Sequence, residues 1–249
     1  MFFLGTHHPD WIEKTDVPLF VSRRSLQKYK RLPRRVGGAW ALDSGGFTEI
    51  SMHGKWLTTA EEYAKDVLRF SEEVGGMLWA APQDWMCEPE MLKKTGLSVE
   101  EHQRRTVQSV LELRALGAPV IPVLQGWTIG QYYDCWDMYA DAGVDLAKEK
   151  IVGLGSVCRR QNMMRAGHLV MSLANDGLRL HGFGFKSTGL KSCGHLLASS
   201  DSLAWSLNAR LNEPLPECAG KHKKCTNCMR YALQWREGLL ASTDRRNAA

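Results

Sequence analysis

Three aspartates have the surroundings to do chemistry in this sequence. Asp43 follows Trp40-Ala41-Leu42 and precedes Ser44-Gly45-Gly46-Phe47. Two glycines after a strand let the backbone approach a flat ligand closely, and Phe47 can stack on that ligand. Asp and Gly are also ordinary residues of a strand-to-helix turn, so the segment alone permits either reading. Asp84 lies in Ala81-Pro82-Gln83-Asp84-Trp85. Its carboxylate can accept from the N1–H and 2-amino group of a guanine, or it can cap a helix. Asp201 lies in Ala198-Ser199-Ser200-Asp201-Ser202. An aspartate beside a sugar C1′ can form a glycosyl ester, as the nucleophile of a retaining glycosidase does. A helix starting at Ser202 would make it an N-cap instead.

Weaker signals accompany these. Gln125 and Gly126 follow the apolar run Val120-Ile121-Pro122-Val123-Leu124, and a glutamine offers both a donor and an acceptor. Gly153, Leu154 and Gly155 could turn backbone N–H groups toward a purine O6. Cys218, His222, Cys225 and Cys228 form C-x3-H-x2-C-x2-C, a spacing that suits a tetrahedral zinc. The fourth ligand is His222, or else His195 or Cys193 folding back. Four protein ligands would leave no open position, so such a zinc is structural. Cys87, Cys135 and Cys158 read as small buried apolar residues.

These residues need elements to bring them together. Short apolar runs predict eight strands over 2–5, 18–21, 39–42, 77–80, 120–124, 151–154, 180–183 and 196–198. Helical patterns run between them over 59–74, 98–116, 129–142 and 160–174, with 202–211 following the last strand. Thr59 and Ser98 are placed as N-caps. Strand–helix alternation implies a parallel α/β sheet, and eight strands in this length suit a (β/α)8 TIM-type barrel with a small C-terminal zinc-binding segment. An open doubly wound sheet is the alternative. In a barrel the strand C-termini converge on one mouth. There His7, His8, Asp43, Asp84, Gln125, Ser156, Lys186 and Asp201 would meet. The roles of His7, His8, His181 and Lys186 stay open.

The 249 residues are 44% hydrophobic, enough for one core, and no linker divides them, so residues 1–249 read as one domain with its zinc subregion at about 190–230. The chain shows no signal peptide pattern and no membrane-length apolar run, which places it in the cytoplasm with no membrane partner. No P-loop or dinucleotide fingerprint is present. The net charge is +5, concentrated between Arg23 and Arg35 and in Lys221, Lys223 and Lys224. Each cluster is either a solvated face or a phosphate-binding patch. Together they favour nucleic acid.

Taken together, the motifs resemble the tRNA-guanine transglycosylase superfamily. Asp43-Ser44-Gly45-Gly46-Phe47 resembles its most specific segment, Leu124-Gln125-Gly126 its Val-Gln-Gly segment, and Gly153-Leu154 its Gly-Gly-Leu segment. The resemblance makes Asp201 the nucleophile and Asp43 the acid/base group. It places Ser44, Gly46, Phe47, Asp84, Gln125, Gly153, Leu154 and Gly155 around the base, and zinc at the cysteine cluster. The family's members are often dimers, so a homodimer or an accessory protein is a possible partner. The departures are informative. The zinc spacing differs, Thr48 replaces a Gln, and the family glutamate after Gly-Gly-Leu has no match in Val157-Cys158-Arg159. Such a compact, divergent chain is most similar to the phage and bacterial branch that places 7-deazaguanines such as preQ0 into DNA, with tRNA as the alternative polymer. A non-catalytic nucleic-acid-binding subunit on the same barrel is the alternative of another class.

Overall fold

The short apolar runs become parallel strands and the amphipathic segments become the helices that cover them. The computed structural model describes residues 1–157, 164–185 and 187–247. Cys158 and Lys186, and the first residues of the helix expected from 160, lie outside them. The strands are β1 (Phe2–Thr6), β2 (Leu19–Ser22), β3 (Trp40–Asp43), β4 (Met77–Ala80), β5 (Val123–Leu124), β6 (Val152–Leu154), β7 (Leu180–Gly182) and β8 (Ser199–Ser202). All pair in parallel, in the order β4-β3-β2-β1-β8-β7-β6-β5. The edges β4 and β5 approach through a bridge between Ala80 and Val120, where Ile121 N–H donates to the Ala80 carbonyl at 3.1 Å. Among the described residues the sheet is therefore a curled half-barrel of TIM type, with this bridge where an eighth ladder was expected.

Two strands differ from the sequence expectation. The run 120–124 is split because Pro122 has no N–H to give a ladder, so only Val123–Leu124 pairs with β6. The last strand is Ser199–Ser202, after the expected 196–198. Leu196 ends a 3-10 turn, Gly194–Leu196. Ser-Ser-Asp-Ser is buried throughout yet has no apolar pattern to read.

The helices between strands are α1 (Arg23–Leu26), α2 (Gly46–His53), α3 (Ala60–Val74), α4 (Pro89–Thr95), α5 (Val99–Ala115), α6 (Ile129–Asp141), α7 (Met164–Asn175) and α8 (Ser187–Cys193). After β8 come α9 (Ala204–Leu211) and α10 (Met229–Asn247). Thr59 and Glu62 form a reciprocal capping box on α3, and Ser98 accepts from Glu101 N–H at the start of α5. No described helix is long and apolar enough to cross a membrane.

One apolar layer lies between sheet and helices, holding Leu4, Leu19, Leu42, Leu124, Leu154 and Leu180 against residues such as Tyr63, Val67 and Trp205. A smaller cluster fills the inner face: Phe3, Phe20, Ala41, Trp79 and Ile121, with Phe183 beside them. It plugs the half-barrel, so the chemistry must sit above it, at the strand C-termini.

Candidate active site

Asp43 ends β3, and the next turn shapes the pocket wall. The Asp43 carboxylate accepts from Gly45 N–H at 3.2 Å, and Ser44 Oγ accepts from Gly46 N–H at 3.2 Å. Gly45 has φ 77°, a left-handed conformation, and a Cβ there would also meet Arg24 at 2.9 Å. A Cβ on Gly46 would meet Trp56 at 2.7 Å. Both glycines are thus demanded by geometry, and α2 starts immediately behind the carboxylate.

Asp43, Ser44, Gly46, Phe47, Asp84, Gly155 and Asp201 line one pocket of about 270 Å³. Phe47 is exposed at its rim, while Asp84 and Asp201 are buried. Desolvation pushes the Asp43 carboxyl up to about 6, and the charge of Asp201 adds to the push, while Gly45 N–H and the Ser22 hydroxyl oppose it. Desolvation pushes Asp84 up to about 7, helped by the charge of Asp43 and opposed by a hydrogen bond from Gln125. Four carboxylates, Glu88 included, share this desolvated pocket and cannot all ionise cheaply; Asp84 keeps a proton up to near neutral pH and Asp43 up to about one pH unit lower.

Gln125 is not on the pocket wall. It is fully buried behind Asp84, its Nε2 donating to Asp84 Oδ2 at 2.6 Å. A Cβ on Gly155 would overlap the Gln125 amide, at 2.3 Å from Nε2. Gly155 therefore lets Gln125 reach the carboxylate. Ser156 extends the chain: its Oγ lies 2.7 Å from Gln125 Oε1, 2.8 Å from Glu88 Oε2, and accepts from Cys87 N–H at 2.8 Å. Ser156 has φ 55°, the only non-glycine left-handed backbone among the described residues.

The Gly-Leu-Gly segment corrects an expectation. Gly153 N–H donates to Pro122 O at 2.8 Å and Gly155 N–H to Leu124 O at 3.0 Å, so the ladder with the β5 segment already uses both. Gly153 instead makes room for Phe183, whose ring a Cβ would meet at 2.5 Å. Leu154 packs in the outer core. Neither Gly153 nor Leu154 lines the pocket, and a purine O6 would need another donor.

Sequence reasoning missed Ser22, Glu88 and Phe183 on the pocket wall, and it placed Ser156 at the mouth without a partner. Glu88 and Ser156 carry no local motif, because they meet only through the fold, 68 residues apart. His7 also lines the pocket, its imidazolium disfavoured by desolvation and then by His8 and Lys28. His8 stacks on Trp11 at 5.2 Å instead.

Cys218, His222, Cys225 and Cys228 converge between α9 and α10, with ligand atoms all within 4.8 Å of one another. Two thiolates bound at ~2.3 Å to a tetrahedral zinc lie about 3.8 Å apart. The Sγ atoms of Cys218 and Cys228 are 3.8 Å apart, so this donor set fits zinc. His222 supplies the fourth donor from within the loop. Cys193 and His195 stand outside the cluster, Cys193 Sγ contacting Gly189 O within α8. Cys87 and Cys135 are buried, as small apolar residues would be.

Residues 1–248 match the family described as DpdA, DeoxyPurine in DNA protein A. No curated protein matches the chain.

Proposed function

Because the chain belongs to the DpdA family, whose description concerns deoxypurines in DNA, we propose that it exchanges guanine in DNA for a 7-deazaguanine through a covalent Asp201–sugar intermediate. The observation that carries this reading is the convergence of Asp43, Asp84 and Asp201, from three distant segments, on one pocket.

The target nucleotide leaves the duplex and enters the pocket, since C1′ is out of reach inside a stack. Phe47 stacks on the base at the rim. Asp84 accepts from N1–H and the 2-amino group, with Gln125 holding it from behind. Asp201 attacks C1′ as the C1′–N9 bond breaks and its electron pair leaves with guanine. Asp43, protonated below about 6 and poised near it, gives guanine its proton. The incoming base yields its N9 proton to Asp43 and attacks C1′, and the C1′–oxygen electron pair returns to Asp201. Two inversions give retention. Zinc, where bound by the cysteine cluster, would have a structural role and take no part in these steps. Exposed Lys28, Lys30, Arg31 and Arg34 suit the phosphate backbone.

The test offers labelled guanine or preQ0 with duplex DNA and tRNA side by side. Label is expected in DNA and absent with Asp201→Ala at unchanged thermal stability. Label in tRNA alone, or full exchange by Asp201→Ala, would reject the reading.

A further inference from the structure

His181 lies on β7, and its register partner on β8 is Ser199, two residues before Asp201. The ring is fully buried in the inner-face cluster, with Trp79 and Phe183 each 4.7 Å away between centroids. Desolvation disfavours its charged form and outweighs the pull of Asp201, so the imidazole is neutral and carries one N–H. Nδ1 lies 2.8 Å from the Ser199 hydroxyl, and Nε2, buried and without a partner in hydrogen-bond geometry, has Asp201 Oδ1 at 3.4 Å. A lone pair on Nε2 would repel that carboxylate, whereas an N–H is drawn to it. The proton therefore belongs on Nε2, and Ser199 donates to Nδ1. The backbone N–H of Gly184 reaches the same Oδ1 at 2.9 Å, from a left-handed conformation of φ 62°.

We propose that His181 is a positioning residue that, with Ser199 behind it and Gly184 N–H beside it, commits Asp201 Oδ1 and so makes Oδ2 the attacking oxygen. This rests on the reading of Asp201 as nucleophile. When Oδ2 bonds to C1′ and the C1′–N9 pair leaves with guanine, Oδ1 becomes the ester carbonyl, still facing both donors. When the incoming N9 attacks, the C1′–Oδ2 pair returns to the carboxylate, and the same fixed donors meet the recovered charge. The chain thus serves both displacements without taking up or releasing a proton.

The test is rapid trapping of the protein–DNA adduct, followed by its resolution with preQ0, using the full chain. His181→Leu is expected to slow adduct formation and resolution roughly 10- to 100-fold with the KM for DNA unchanged, less than the ~10²–10³ of a donor that itself meets developing charge. His181→Gln, which keeps an N–H donor, recovers most of that loss. Ser199→Ala gives a smaller loss and keeps the test in force if leucine at 181 impairs folding. A wild-type rate in His181→Leu or Ser199→Ala, or equal losses in the Leu and Gln variants, overturns the positioning role. An adduct formed by Asp201→Asn overturns the nucleophile reading beneath it instead.

Discussion

Asp84 sits in a costly environment, because its carboxylate is buried beside Asp43 and Glu88 and is met by the Gln125 amide and a backbone donor. Its pKa is raised from 3.8 to about 7. A carboxyl with a raised folded pKa stabilises the fold fully below the unfolded value, and that stability is lost as pH rises through the folded one. Between about pH 4 and 7 the native state therefore loses stability through Asp84. Asp84→Asn keeps an acceptor for Gln125 and removes the charge. It is expected to raise stability at pH 8 by roughly 2–4 kcal/mol relative to wild type, and by much less at pH 4, while weakening guanine binding. Thermal unfolding of both proteins at the two pH values checks this; an equal effect at both would show that Asp84 does not carry a raised pKa. The aspartate itself was visible in the sequence as a polar residue after an apolar run. Its partner Glu88 was not, since only the fold sets Ser156 between Gln125 and Glu88.

At the scale of elements, strand ends position the site and glycines set the spacing between them. Apolar periodicity disclosed β1 to β4, β6 and β7 within a residue or two, because each has a side facing the outer core. It failed for β8, where Ser199 and Asp201 face the inner-face histidine and the pocket, and where Ser200 and Ser202, in register with Phe2 and Leu4, put serines on the side that in other strands is apolar. The Gly-Leu-Gly segment was read as turning backbone N–H groups toward a base, but its two glycines instead make room for Phe183 and Gln125. Gly155→Ala should therefore displace Gln125, release Asp84 from its 2.6 Å bond and weaken base binding. The added methyl should cost about 1–3 kcal/mol of stability by overpacking. In Gln125→Ala the obstructed amide is already gone, so adding Gly155→Ala should cost little more. A double-mutant cycle read by unfolding and by preQ0 binding tests this coupling. Additive losses would place the cause of the glycine elsewhere.

For the whole molecule, charge was the least legible feature. The basic run from Arg23 to Arg35 looked like one surface, yet Arg23 is buried against Asp66 at 2.8 Å and Arg35 binds the carbonyls of Thr15 and Val17 at 2.7 and 2.6 Å. Only neighbours in space could reveal that these two guanidinium groups hold loops together. The cysteine spacing, by contrast, is local and survived intact, because its ligands need no distant strand. Its consequence is global. The loop bearing Cys218 and Cys225 is tied to α9 by Ser206 Oγ, which donates to Thr226 O at 2.9 Å, and α9 is tied to β1 by Trp205 Nε1, which donates to Gly5 O at 2.8 Å. Helix α9 directly follows the strand that carries Asp201. Zinc should thus brace the Asp201 side of the half-barrel from outside. Metal analysis should find about one zinc per chain, and Cys225→Ser should lose it together with several kcal/mol of stability, since metal binding energy is folding energy in such loops. Exchange should fall in proportion to the unfolded fraction and return when the variant is assayed well below its lowered Tm. Full stability of a metal-free chain would remove the brace, and an activity loss that persists at low temperature would draw the zinc loop into the site itself.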